Sequence, residues 1–151
     1  MEIIYLDCCC LNRPFNDQTQ ERIRREAEAI LEIIGRCWTG EWTWIASVVL
    51  YVEIAQILDS NLRAKLEELG GFAWSTIAVD ESIDSRADAL ESLGFHRLDA
   101  LHLAVAEHGG ATVLLTVDDR LLKRAKRLAS RLGLRVENPV VWIAEQKHER
   151  K

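Results

Sequence analysis

Two hydrophobic periods alternate along this chain, and that alternation limits the folds open to it more than any other feature. Short apolar or β-branched runs occur at residues 3–6 (IIYL), 42–47 (WTWIAS), 75–80 (STIAVD), 112–117 (TVLLTV) and 134–138 (LRVEN). Each reads as a strand. Between them lie stretches of three- and four-residue apolar spacing. The clearest is residues 20–38, where Ile23, Ala27, Ile30, Leu31 and Ile34 fall on one helical face and Gly40 ends the run. Thr19 is a candidate cap for that helix, and Pro14, Asn16 and Asp17 form the loop before it. The run VVLYVEIAQIL after Ser47 suits strand or helix by composition; its length and the capping serine favour helix. Further helices are expected over residues 61–69, 82–93, 97–108 and from Asp118 to about residue 132, with a last helical turn at residues 139–145. Strand–helix alternation predicts an α/β fold: a three-layer α/β/α sandwich with a central, mainly parallel sheet of four to five strands. Ligands bind such sheets beyond the carboxyl ends of the strands, where strand order reverses.

A length of 151 residues, 48% of them apolar, fits one domain spanning the whole chain. The start carries Glu2 and Asp7 rather than a basic leader, and no apolar run has the length of a membrane span. A cytoplasmic protein with no membrane partner is expected. Net charge is −5, which argues against a protein that simply coats nucleic acid. The charge is uneven: residues 1–96 hold 8 Lys/Arg against 17 Asp/Glu, whereas residues 97–151 hold 11 against 7. An acidic site beside a basic groove is therefore compatible with one domain.

Several acids fall where such a site would form. Asp7 follows the first strand directly, and Asp118 and Asp119 follow the strand TVLLTV. In a parallel sheet these positions share one edge. Asp99 opens the helix at residues 97–108, and Glu53 sits between apolar neighbours on the helix after Ser47. Each has an ordinary explanation as a turn residue, a helix-start acid or a solvated side chain. If they converge, their mutual repulsion requires a cation. Hard Mg²⁺ or Mn²⁺ prefers oxygen ligands, and such a centre suits phosphodiester hydrolysis.

Four stretches, in order along nearly the whole chain, resemble the PIN-domain family of metal-dependent ribonucleases, which includes many toxins of bacterial toxin–antitoxin pairs. They are IIYLDCCCLNRPF, SVVLYVEIAQI, HRLDALHLAVAEHGGATVLLTVDDRLLKRA and ENPVVWI. The third is the most specific, with an Asp-Ala helix followed by a strand and Thr-x-Asp-x-x-Leu. The resemblance implies that Asp7, Glu53, Asp99 and Asp118 form the acidic site, with Asp7, Asp99 and Asp118 as metal ligands. It gives Thr116 the task of orienting a carboxylate or the attacking water. It also implies RNA cleavage to a 5′-phosphate and a 3′-hydroxyl, an antitoxin partner and a homodimer. Asp119 reads as a neighbouring helix-start acid, with partial substitution for Asp118 as the alternative. Family members often have Thr or Ser after the first aspartate, where this chain has Cys8.

Arg120, Arg124, Arg127 and Arg131 recur at helical spacing, broadened by Lys123 and Lys126. They read either as a solvated face or as a phosphate-contacting rim that guides RNA to the acids, with Arg13 as a second candidate. His102 lies one turn after Asp99 and is expected to pack near the site or orient a neighbour rather than to act as a base. Cys8, Cys9 and Cys10 lack a paired ligand motif and read as buried small side chains. Trp42 and Trp44 share a strand face and read as core. A non-catalytic RNA- or protein-binding module of the same fold is the alternative. Another phosphate-handling α/β hydrolase is disfavoured, because the chain has neither a glycine-rich phosphate loop nor a G-x-S-x-G elbow.

Overall fold

In the computed structural model, which describes residues 1–149, five strands form one parallel sheet: β1 (Ile3–Leu6), β2 (Thr43–Ser47), β3 (Ser75–Ile77), β4 (Val113–Leu115) and β5 (Arg135–Glu137). Their spatial order is β3-β2-β1-β4-β5. The chain thus builds outward from β1 on one side, then returns to build outward on the other. The point of reversal lies between β1 and β4, whose register pairs Tyr5 with Leu114 and Leu6 with Leu115. Asp7 continues this ladder by donating its backbone N–H to the Leu115 carbonyl at 3.4 Å.

The helices are α1 (Cys8–Asn12), α2 (Glu21–Trp38), α3 (Val48–Ala55), α4 (Ser60–Gly70), α5 (Glu81–Ser92), α6 (Arg97–His108), α7 (Asp119–Arg127) and α8 (Pro139–Glu149). Side chains alternate across the sheet as strand geometry dictates. Ile4, Leu6, Trp44, Ala46, Val113 and Leu115 enter one core with α2, α4 and α8. Tyr5, Ile45 and Leu114 enter the other, with α5, α6 and α7. Both faces are therefore covered, as the near-continuous apolar strands require. Trp42 and Trp44 lie in the first core, with Trp42 packed edge-on against Trp142 at 4.8 Å. Burial of this kind contributes about 25 cal/mol per Å² of apolar surface.

Several sequence-level boundaries shift. The residues after Asp7 are a short helix rather than a loop, because Asp7 caps it through its side chain. Residues Arg13–Phe15 follow as a single 3-10 turn. Gln20, not Thr19, precedes α2; the Thr19 backbone and hydroxyl instead donate to Asp17 in a local turn. β3 stops at Ile77, β4 is confined to Val113–Leu115, and α8 runs well beyond one turn. α7 ends at Arg127, and Arg131 belongs to a separate 3-10 turn, so the arginine stripe is one residue shorter than its spacing implied. Gly94 between α5 and α6 has φ +111°, a backbone region that side-chain-bearing residues rarely adopt. No helix among the described residues is long and apolar enough to cross a membrane.

Candidate metal centre

The carboxyl ends of β1 and β4 deliver the central groups. Asp7 is only 7% exposed, and as the cap of α1 its Oδ1 accepts from the Cys10 backbone N–H at 3.1 Å. The same oxygen accepts from the Cys9 thiol at 2.9 Å. These donors are neutral, so the charge of Asp7 is hydrogen-bonded but not cancelled. Burial pushes the Asp7 carboxyl above its usual range, against the opposing help of Cys9, Thr116, His102 and the Cys10 backbone. Asp99, in the first turn of α6, is half-buried and also raised: first by burial, then by the charges of Asp118 and Asp7. Asp99 therefore feels both of the other proposed ligands. Asp118 is exposed and caps α7, its Oδ1 accepting from the Arg120 N–H at 2.9 Å.

Thr116 is fully buried beyond the last residue of β4. Its Oγ1 accepts from the Asp118 backbone N–H at 3.1 Å and lies 3.4 Å from the Cys9 thiol. It thus links the Asp118 backbone to the surroundings of Asp7. Asp119 points elsewhere: Arg22 on α2 grips it with two bonds of 2.8 and 2.9 Å and donates to the Val117 carbonyl at 3.2 Å. The guanidinium beside Asp119 holds that carboxyl below its usual range. Arg22 therefore ties down the residues on either side of Asp118, the Val117 carbonyl and the Asp119 carboxylate, and Asp119 is turned to that ion pair.

Glu53 is partly buried on α3, and its Oε1 lies 2.8 Å from His102 Nε2. His102 Nδ1 lies 2.5 Å from the Tyr5 hydroxyl, which lies 2.6 Å from Ser47 Oγ. Ser47 Oγ in turn accepts the Leu50 N–H that starts α3. With the imidazole neutral and Glu53 ionised, Nε2 donates to Glu53, Nδ1 accepts from Tyr5 and Ser47 donates to Tyr5. In that tautomer every bond in this buried row runs toward Glu53. Burial raises the Tyr5 hydroxyl far above its usual range, so the hydroxyl keeps its proton.

The carboxylates of Asp7, Asp99 and Asp118 are coupled through their charges but are not drawn into one tight set. Among the described residues, the His, Cys, Asp and Glu donors that close to within 4.8 Å of one another are those of Asp7, Cys9 and Cys10. The thiol at the carboxylate is that of Cys9, which residue spacing alone does not set apart from its two neighbours. A capping aspartate brings the residues two and three positions ahead onto its oxygen, and recognising α1 would have exposed this. Cys8 lies in the apolar core, its thiol pushed up to about 12 by burial and then by Glu53 and Asp7.

The cationic candidates separate into two groups. Arg13 is held by buried Glu26 at 2.8 Å and by Asn16 at 3.2 Å, so its charge is already matched. Arg120, Lys123, Arg124 and Arg127 line a shallow basin of about 400 Å³ together with His96. Among the described residues no acid lines it, and the buried Nε of Arg124 makes no hydrogen bond. His96 at the basin is among the charges felt by Asp99.

The model of the PIN domain matches residues 4–128. No curated protein matches the sequence. Among solved structures, FitAcB from Neisseria gonorrhoeae is 16% identical, with TM-score 0.58, covering 90% of this chain and 97% of that one. VapBC2 from Rickettsia felis, solved with a fragment of promoter DNA, is 15% identical with TM-score 0.60, covering 90% and 98%. VapBC-1 from nontypeable Haemophilus influenzae is 14% identical with TM-score 0.55, covering 91% and 98%. At these identities the structures speak for the fold, and the sequence match speaks for descent: the chain belongs to the PIN-domain family.

Proposed function

We propose that the protein is a Mg²⁺- or Mn²⁺-dependent endoribonuclease that hydrolyses RNA phosphodiester bonds, and that it acts as the toxin of a toxin–antitoxin pair. One observation carries this reading: Asp7 and Asp118 follow the carboxyl ends of the adjacent strands β1 and β4, and Asp99 is raised by burial and by the charges of both. The donor set fits a hard divalent cation, because carboxylate oxygens suit such ions and a cation would relieve the repulsion. Asp7, Asp99 and Asp118 would hold it, in part through water. When bound, such an ion polarises the phosphate and lowers the pKa of water.

The chain's own residues supply the rest. Thr116 accepts the Asp118 N–H and keeps its hydroxyl proton for a carboxylate or a water. His102 fixes one oxygen of Glu53, leaving the other to orient water at the acidic edge. The basin of Arg120, Lys123, Arg124 and Arg127 is suited to RNA phosphates. The PIN family match and the likeness to VapBC structures support the nuclease toxin reading, with an antitoxin partner, a homodimer and a cytoplasmic setting as its corollaries.

Purified protein should cleave single-stranded RNA with Mn²⁺, stop with EDTA, and lose cleavage on Asp7→Ala or Asp99→Ala. Cleavage that ignores metal and survives both substitutions would refute the assignment. A second reading, a PIN-like module that binds RNA or protein without cutting, is favoured by thiols at positions 8 and 9, since a thiol is a weak hydrogen-bond donor. RNA binding with no metal-dependent cleavage would select it.

A further inference from the structure

The immediate surroundings of Asp7 include a softer donor than a Mg²⁺ centre uses. The Cys9 thiol lies 2.9 Å from Asp7 Oδ1, and the sulfurs of Cys9 and Cys10 fall with that oxygen inside a 4.8 Å group. Consecutive side chains in a strand point to opposite faces, but these residues open a helix capped by Asp7, which turns both thiols toward the cap. The two thiols differ in access. Cys10 is fully buried and donates to the Leu115 carbonyl at 3.3 Å, whereas Cys9 is half-buried at the acidic edge. Oxygen-seeking Mg²⁺ and Mn²⁺ have little use for sulfur, whereas Zn²⁺ and Cd²⁺ bind it readily. Zinc–sulfur and zinc–oxygen bonds of about 2.3 and 2.0–2.2 Å place the two donors about 3.5 Å apart, a small opening of the present contact.

We propose that Asp7 and Cys9, with Cys10 in reach, form a site for a thiophilic divalent ion of the zinc class, which competes with Mg²⁺ or Mn²⁺ for Asp7 and silences the nuclease. Binding breaks the Cys9 S–H bond: the proton passes to solvent and the sulfur's electron pair forms the bond to the metal. No oxidation state changes, so no further reactant is needed. The inhibitory half rests on the nuclease reading, and the binding half does not.

The test separates the two. Reduced, metal-stripped full-length protein is titrated with Cd²⁺ while the ultraviolet sulfur-to-cadmium charge-transfer band is recorded. One equivalent should develop the band in the wild type and in Cys37→Ser, and the band should be lost in Cys9→Ser and Cys9→Ala. X-ray absorption of the zinc-loaded wild type should give sulfur at about 2.3 Å. A band that persists in both Cys9 variants while they keep the wild-type circular dichroism overturns the site, as does a zinc shell of oxygen and nitrogen alone, which is read on the wild type and so decides even if the variants fold poorly. For the inhibitory half, zinc is titrated against Mn²⁺-dependent RNA cleavage. The half-inhibiting concentration should rise about tenfold or more in Cys9→Ser, normalised to that variant's own uninhibited rate. An unchanged value overturns the competition. Absence of RNA cleavage altogether would fault the nuclease reading while leaving the Cd²⁺ and zinc measurements decisive for the site.

Discussion

Asp7 and Glu26 are both buried carboxylates on neighbouring parts of the molecule, 7% and 2% exposed, yet their surroundings are opposite in kind. Glu26 on α2 accepts from Arg13 at 2.8 Å, Arg22 at 3.2 Å and Asn138 at 2.7 Å. Its charge is matched by cations that the fold itself supplies. Asp7 accepts from a backbone N–H and a thiol, and it contributes to the repulsion felt by Asp99. Taking a charge out of water costs several kcal/mol unless it is paired. The Glu26 cluster meets that cost internally; at Asp7 the carboxylate's hydrogen-bond donors are neutral, and the proposed metal ion would supply the missing charge.

The largest expected effect lies at the unmatched end. Asp7→Ala or Asp99→Ala should lower Mn²⁺-dependent RNA cleavage about 1,000-fold, equivalent to about 4 kcal/mol of barrier. Single-turnover cleavage of a labelled RNA would measure this, and near-wild-type rates would dissolve the contrast. Next comes the matched end. Glu26→Ala should destabilise the fold by about 3 kcal/mol in urea denaturation, because Arg13 and Arg22 lose their common partner.

The opposite sign sharpens the comparison further. Asp99→Asn should stabilise the metal-free protein at neutral pH by about 1 kcal/mol, raising Tm by about 2–4 °C. Mn²⁺ should no longer protect that variant. The pH dependence has the same origin. Burial raises the Asp7 and Asp99 carboxyls in the fold, so the folded state holds their protons more tightly than the unfolded chain does. Their penalty is therefore absent below the unfolded carboxylate pKa of about 3.9, grows as pH rises from there toward the raised folded values, and is complete once pH exceeds them. Asp99→Asn should flatten that part of the stability profile in thermal melts. The smallest effect belongs to the basin: Arg124→Ala should weaken RNA binding by an inactive Asp7→Asn background and reduce the salt dependence of log K by about 1.

How much of this the sequence carried differs between the two regions. Asp7, Asp99 and Asp118 were legible because each sits at a strand end or helix start, positions that hydrophobic period and capping chemistry reveal. His102 was legible as a neighbour of the acids through its one-turn spacing from Asp99. Its partner Tyr5 was not, because an aromatic residue in an apolar strand reads as core until the Ser47 and His102 contacts are seen. The Glu26 cluster was hidden for another reason: its members lie at residues 13, 22, 26 and 138, and only tertiary packing brings Asn138 to α2. Arg13 pairs with the same carboxylate, a contact its sequence position did not reveal. The fold was legible in its strand–helix alternation, whereas the exact ends of β3, α7 and α8 depended on packing that local pattern does not encode.

Calorimetric titration of the metal-free protein with Mn²⁺ reads the charge balance at Asp7 without intermediaries. Saturable binding is expected of the wild type, with a loss of affinity of more than about 100-fold in Asp7→Asn, whose amide keeps the helix cap but not the charge. No binding by the wild type, or equal binding by a folded Asp7→Asn, would rule out a metal centre built on Asp7.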